Sequence, residues 1–457
     1  MTSAQNQAEP SALVAKYAAP VPRYTSYPTA PHFHDGVGEA DYAGWLETMD
    51  PAATLSLYLH IPYCDTLCWF CGCHTKITRR YDPVAAYLPS LCDEISHVSD
   101  IVPSGPRVTH IHWGGGSPTI LTPDDIRRLA LSVYNNFDVT CSAEFSVEID
   151  PRGLDFERVE ALAEVGVTRA SIGVQDFDAT VQSAINRHQS YEETERAISW
   201  LREVGIQAVN LDIMYGLPHQ NARTLERTVD QVTSLKPERI ALFGYGHVPW
   251  AKRHQKMIDE AALPDVSERF EQASLATGLL NEAGYRTIGL DHFARSDDTL
   301  AVAERDGALR RNFQGYTADA ADALIGFGAS AIGSLPQGYC QNAVPIADYR
   351  KRIAAAGLAT VKGLELTADD QMRRWAIERL MCDLALSSKA LGARFGRAGE
   401  QLLDGSMDLS GFERDGLIAR GDDGFRVTAA GRPFIRAICA EFDAYFKRSP
   451  QRHSVAV

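Results

Sequence analysis

A chain of 457 residues, 45% hydrophobic and 23% charged, has the make-up of an ordinary globular protein. Its length suits a large α/β barrel with an appendage, or about two or three domains, and it can bury a sizeable core without disulfide staples. The formal net charge of −14 argues against a general nucleic-acid binder, which needs a basic face, and no apolar run reaches the length of a membrane span.

The first residues, MTSAQNQAEPSALVAKYAAP, lack the basic start and long apolar stretch of a secretory signal, so the cytoplasm is the expected compartment. Residues 1–52 read as an ordered, irregular arm, because APVPRYTSYPTAPHF is too aromatic for a disordered tail. From residue 53 short β-branched or aromatic runs alternate with helical stretches. The predicted strands are LSLYLHI (55–61), VTHIHWG (108–114), AEFSVEI (143–149), RASIGVQ (169–175), AVNLDIMYG (208–216), RIALFGY (239–245) and YRTIGLDH (285–292). Helices are expected over 123–137, 155–166, 190–205 and 224–235, two of them running into glycine. Such alternation implies parallel strands with helices outside, as a barrel or a doubly wound sheet.

The barrel is expected over 53–300. Residues 301–364 read as an extension full of Gly-rich turns, and 365–457 as a mostly helical C-terminal domain. That domain ends in GLIARGDDGFRV and a helix, a pattern like the wing of a winged helix. The acidity of the chain favours a packing or lid role for it over DNA binding.

Of nine cysteines, Cys64, Cys68, Cys71 and Cys73 crowd into one loop after the first strand. Clustered thiols in a reducing compartment point to metal or redox chemistry. Thiolates suit zinc or iron–sulfur clusters, and read alone the spacing leaves both open. A structural zinc site usually pairs two separated knuckles, and the second is missing here. A three-cysteine loop can leave one iron of a cluster free to coordinate substrate.

The spacing Cys64-x3-Cys68-x2-Cys71 resembles the radical S-adenosylmethionine signature. The longer text YLHIPYCDTLCWFCGC, with PRYTSYPTA upstream, is similar to the oxygen-independent coproporphyrinogen III oxidases. The likeness continues through HWGGGSPT, SVEIDPRG, SIGVQDF, INR, NLDIMYGLP, GLDHFA, RNFQGYT and GFGASAI, from about residue 20 to the C-terminal domain. It implies a partial (β/α) barrel of the radical S-adenosylmethionine type, with the arm and the winged-helix-like domain attached. It also implies a [4Fe–4S] cluster on Cys64, Cys68 and Cys71, with Cys73 outside the ligand set. Cys73 nevertheless sets the chain closer to the oxidases than to their haem-chaperone paralogues.

The same resemblance implies that Tyr58, Gly115, Gly116, Ser117, Glu148, Gln175, Arg187 and Asp212 bind S-adenosylmethionine. A second molecule of it would involve Phe70, Gly246 and Ile332. Chemistry alone gives plainer roles: strand tyrosine, tight turn, packing residues, or internal salt bridges for Glu148, Asp212 and Arg187. The glycines of HWGGGSPT would let backbone approach a ligand and offer it N–H groups. Relatives often carry Ala where Gly246 stands, and another residue at His188.

The implied reaction converts two propionates of coproporphyrinogen III to vinyl groups. A 5′-deoxyadenosyl radical removes a hydrogen, then CO2 and one electron leave; no protein general base is required. An electron donor such as flavodoxin or ferredoxin, and a monomeric enzyme, complete the expectation. Arg23, alone among the aromatics of the arm, is a candidate to close the site over a substrate with four carboxylates. Three other readings stay open: a haem chaperone, a radical methyltransferase and a zinc-structured winged-helix regulator.

Overall fold

The computed structural model describes residues 10–403 and 407–446. Positions 1–9 of the expected arm, and 404–406 and 447–457 of the expected C-terminal domain, lie outside them.

Seven strands run parallel: β1 (Thr54–Ile61), β2 (Arg107–Gly115), β3 (Asp138–Ile149), β4 (Arg169–Gln175), β5 (Ala208–Tyr215), β6 (Arg239–Gly244) and a later one, Ala323–Phe327. On β1 the apolar Leu55, Leu57, Leu59 and Ile61 are fully buried under the helices. Ser56, Tyr58 and His60 take the opposite face, as the two-residue period of a strand dictates. The helices begin where the sequence offers caps. Thr122, Asp155, Ser190 and Asn221 each accept a backbone N–H at the start of Pro123–Asn136, Phe156–Glu164, Tyr191–Glu203 and Ala222–Ser234.

Beyond β6 the chain departs from the expected pattern. The run 285–292 is not one strand. It breaks at Gly289 into β7 (Arg286–Ile288) and β8 (His292–Ala294), which pair antiparallel. Residues 301–364 are more than Gly-rich turns: they contain β9 (Ala323–Phe327), β10 (Ile332–Leu335), β11 (Gly338–Asn342) and β12 (Thr360–Glu365). Close packing of backbones explains the glycines there. A Cβ at Gly326 would lie 2.6 Å from the Ile332 carbonyl oxygen. The sheet order is β12-β11-β10-β9-β1-β2-β3-β4-β5-β6-β8-β7. Its two ends do not pair, so the twelve-stranded sheet is a curved, open partial barrel.

The C-terminal region holds helix Ala368–Asp383, the helical segment Ser388–Leu403 broken by a kink at Gly396, a three-stranded sheet containing the Ile418–Gly421 and Gly424–Val427 hairpin, and helix Ile435–Phe442. The arm divides between two cores. Leu13, Val14, Tyr17, Tyr24 and Tyr27 pack into the core of the C-terminal helices, with Tyr17 stacked on Phe412 at 4.8 Å. Tyr42 and Leu46 instead join the sheet core.

One buried carboxylate fastens the antiparallel wing to the helix layer. Glu94, on helix Asp82–Ile101, accepts bonds from the Gly328 N–H (2.7 Å), Asn342 (2.6 Å) and Tyr349 (2.8 Å). Burial pushes its carboxyl up to about 7, against the pull of those three donors. Glu94→Ala would leave the Gly328 N–H without an acceptor and remove one bond each from Asn342 and Tyr349, and is expected to cost about 3–5 kcal/mol, read from urea unfolding.

Candidate active site

The cysteine loop leaves the end of β1 and has almost no secondary structure of its own. A short parallel pair, Tyr63–Cys64 with Lys76–Ile77, closes its base. Five of its carbonyls are held by side chains from outside the loop. Asn186 donates to Leu67 (2.7 Å), Gln255 to Phe70 (2.9 Å), His254 to Cys71 (2.7 Å), Lys252 to Cys73 (3.2 Å) and His60 to His74 (3.0 Å). The Trp69 N–H bonds the Ile185 carbonyl at 2.9 Å.

Cationic N–H groups face the sulfurs. Arg152 and Arg187 reach Cys68 Sγ at 3.4 and 3.5 Å. Asp150 binds both: Arg152 at 2.6–2.9 Å and Arg187 at 3.4 Å. Burial alone would raise the Asp150 carboxyl, but Arg187 and Arg152 hold it below its ordinary value. The Cys73 N–H donates to Cys71 Sγ at 3.4 Å. Hydrogen bonding from the Cys73 thiol holds Cys71 below the ordinary thiol value, while burial pushes Cys64 up to about 12. Among the described residues no three His, Cys, Asp or Glu side chains gather around a single-ion site. A cubane takes one thiolate per iron, so its ligands stand apart. Three thiols on one loop, with guanidinium N–H groups turned toward the Cys68 sulfur and an amide N–H toward that of Cys71, fit that donor set.

The Gly-rich loop follows β2. A Cβ at Gly116 would meet the Tyr63 carbonyl oxygen at 2.4 Å, so only glycine fits under the cysteine loop. The expectation that these residues offer free N–H groups is corrected. Gly116 donates to Ile61 (2.8 Å), Ser117 to Tyr63 (2.8 Å) and Gly115 to Glu148 (3.0 Å). The Ser117 hydroxyl bonds Thr119.

The inner face of the sheet carries the other candidates. Glu148 also bonds His112 (3.2 Å). Burial would raise its carboxyl, yet His112 and the Gly115 N–H hold it below the usual value. Asp212 accepts from Asn210 (2.7 Å) and Ser171 (3.1 Å), and burial still pushes it up to about 6. Glu148 and Asp212 are close enough that the charge of Glu148 adds to that rise. Tyr58 lies at 5.7 Å over His112 and bonds His60 Nδ1 at 2.9 Å. Because His60 Nε2 faces the His74 carbonyl, Nδ1 is the acceptor and the Tyr58 hydroxyl donates to it. Gln175 ends β4 in a left-handed conformation, φ +71°.

The remaining candidates lie around this centre. Phe70 packs in a small apolar cluster with Ile185, Met214 and Tyr245. Gln255 donates to the carbonyls of both Phe70 and Gly246, at 2.9 and 3.3 Å. Ile332 sits on β10, beside Phe33 and Tyr339. Arg23 donates to the Gly244 carbonyl at 2.9 Å, at the C-terminal end of β6. His188 is exposed. Sequence reading passed over His60, His112, Asp150 and Arg152. The first two share the polar face of their strands with Tyr58, and the last two follow a strand end within SVEIDPRG, so both signals were present. Lys252, His254 and Gln255 left none.

Comparison with known proteins agrees with this geometry. The Radical SAM superfamily profile matches residues 58–232 and the HemN C-terminal domain profile matches 366–434. A curated relative from Bradyrhizobium diazoefficiens, named oxygen-independent coproporphyrinogen III oxidase, is 48% identical over 96% of this chain and 97% of its own length. The chain belongs to the oxygen-independent coproporphyrinogen III oxidase family of radical SAM enzymes. A family member from Salmonella typhimurium is 39% identical over 96% of this chain and 95% of its own length. The solved coproporphyrinogen III oxidase HemN from Escherichia coli, described as a radical SAM enzyme, superposes with a TM-score of 0.89. It is 38% identical and covers 93% of this chain and 97% of its own. Family membership implies a [4Fe–4S] cluster and S-adenosylmethionine.

If the borrowed side chains hold the loop in shape, Gln255→Leu should speed iron loss from the reconstituted protein roughly tenfold or more. Timed chelation with an iron-binding dye, beside wild type, checks this.

Proposed function

We propose that this chain converts coproporphyrinogen III to protoporphyrinogen IX without oxygen, by oxidative decarboxylation of two propionates to vinyl groups. The observation that carries the reading is near-full-length identity to curated oxidases, joined to a three-thiol loop at the strand edge of the same fold. When bound, a [4Fe–4S] cluster supplies the electron that cleaves S-adenosylmethionine to the 5′-deoxyadenosyl radical.

The residues divide the work. Cys64, Cys68 and Cys71 hold the cluster, and Arg152, Arg187 and the Cys73 N–H stabilise their thiolate charge. Gly115, Gly116 and Ser117 form the close wall along the methionine end of the cofactor. Glu148, ionised, and Asp212 accept hydrogen bonds from hydroxyl groups of the cofactor. Tyr58, steadied by His60, and Gln175 at the end of β4 would contact S-adenosylmethionine. Arg187 keeps Asp150 and Cys68 in register. Phe70, Gly246 and Ile332 border a second S-adenosylmethionine. Arg23 draws the arm over the end of β6.

In this reading residues 1–52 form the arm and lid, 53–300 the barrel, 301–364 its extension and 365–457 the C-terminal domain. The enzyme acts as a monomer in the cytoplasm, with flavodoxin or ferredoxin as electron donor. No helix among the described residues is long and apolar enough to cross a membrane.

Anaerobic reconstitution with iron, sulfide, reductant, S-adenosylmethionine and coproporphyrinogen III tests the reading. Protoporphyrinogen IX and 5′-deoxyadenosine should appear together, and Cys64→Ser should abolish both. Formation of S-adenosylhomocysteine would favour the methyltransferase alternative, and absence of protoporphyrinogen the haem-chaperone one.

Asp212 supplies a pH test. Its carboxyl is raised to about 6, so it takes up a proton as pH falls through that value and loses acceptor capacity. Affinity for S-adenosylmethionine should therefore fall severalfold between about pH 7 and about pH 5, roughly 1 unit either side of that value. In Asp212→Asn affinity should be lower and lack this decline, as equilibrium dialysis at each pH will show.

A further inference from the structure

A cleft of about 410 Å³ lies between the arm, the outer strands and the C-terminal domain. Aromatic side chains line it, among them Phe313, Tyr339, Trp375 and Phe395. It shares Ser56 and Asp319 with a smaller cavity that reaches Tyr58 and His112. The cleft therefore adjoins the inner face of the sheet, on which Glu148 and Asp212 lie.

Four guanidinium groups line this cleft: Arg310, Arg311, Arg374 and Arg394. The first two are matched by carboxylates, Arg310 by Glu378 at 3.3 Å and Arg311 by Asp291 at 3.8 Å. The other acids of the cleft are engaged as well. Asp319 pairs with His110 at 3.0 Å, and Asp322 accepts from Thr54 at 2.8 Å. Arg374 bonds the hydroxyl of Ser334 at 3.0 Å and lies over the Tyr339 ring at 5.1 Å. Arg394 lies over the Phe395 ring at 5.7 Å. Neither makes an ion pair with any carboxylate among the described residues. In a chain of net charge −14, two cations left unmatched on one aromatic cleft suit an anionic ligand with apolar faces.

We propose that Arg374 and Arg394 clamp the two propionate carboxylates of coproporphyrinogen III that survive the reaction. The assignment rests on the function proposed above and names the substrate anchors that it requires. The surviving propionates are neighbours on one edge of the macrocycle. The two arginines stand on consecutive helices, Ala368–Asp383 and Ser388–Leu403, at one wall of the cleft. Holding that edge turns the opposite edge, with the reacting propionates, toward Tyr58. The aromatic side chains then pack against the pyrroles. A guanidinium fork can bind a carboxylate through two parallel hydrogen bonds, which fixes orientation as well as charge.

The test uses the full chain with its cluster reconstituted. Coproporphyrin III, the stable oxidised macrocycle, and its tetramethyl ester serve as binding probes, followed by fluorescence. Wild type should bind the acid at least tenfold more tightly than the ester. Arg374→Gln and Arg394→Gln should each weaken acid binding about tenfold and leave ester binding unchanged. Turnover should show a raised KM with a smaller change in kcat, and Arg374→Lys should recover part of the loss. Equal affinity of wild type for acid and ester would overturn the clamp even if the variants failed to fold. So would a double Gln variant with wild-type affinity and KM. Failure of the underlying function would look different, since wild type itself would then form no protoporphyrinogen.

Discussion

The loop that carries the clustered cysteines pairs into a sheet only at its base, through Tyr63–Cys64 and Lys76–Ile77. Above that base its carbonyls need donors from elsewhere, because a buried, unpaired carbonyl costs about 1–3 kcal/mol. Here Asn186, Lys252, His254, Gln255 and His60 meet that need, from segments up to 185 residues away. The loop is thus shaped by the whole sheet. Its geometry depends on where β1, β4 and β6 end.

Charge follows the same logic of borrowed partners. The chain is acidic, yet the sulfur of Cys68 faces two guanidinium groups, both held by Asp150. Glu148 and Asp212 are buried carboxylates on one face, and their surroundings push them in opposite directions. A histidine and a backbone N–H keep Glu148 ionised, whereas an amide and a hydroxyl leave Asp212 near 6. Neutral partners compensate burial less than charged ones do. The Gly-rich loop tells a related story. Its N–H groups already serve the protein, so the glycines matter for proximity more than for donation.

Much of the parallel core was legible because period-two apolar runs and helix caps are local signals. Strands β1 to β6 and the four expected helices form close to their expected bounds, although β3 begins five residues early, at Asp138, and the helices Asp82–Ile101 and Ala179–Ala184 were not expected. The cysteine spacing and polar residues near strand ends were visible for the same reason. Strands β9 to β12 were hidden by glycines, which read as turns in sequence but here permit tight strand contact. The donors to the cysteine loop were invisible because their partners are carbonyls, which carry no residue identity. The division of the arm was also illegible, since nothing in PRYTSYPTA says which core its tyrosines enter.

That division has a consequence for how the molecule is made. Tyr17 bonds Asp415, and Tyr24 bonds Asp443, across separations of 398 and 419 residues. The arm is made before the sheet, yet it docks only once the C-terminal helices have been made. Closing so long a loop is slow, and the apolar side of the arm stays exposed meanwhile. Strands β1 to β6 pair in chain order and can come together first, whereas β9 must return to β1 across 268 residues. The arm and the C-terminal helices then lock each other in place over a sheet that is already assembled.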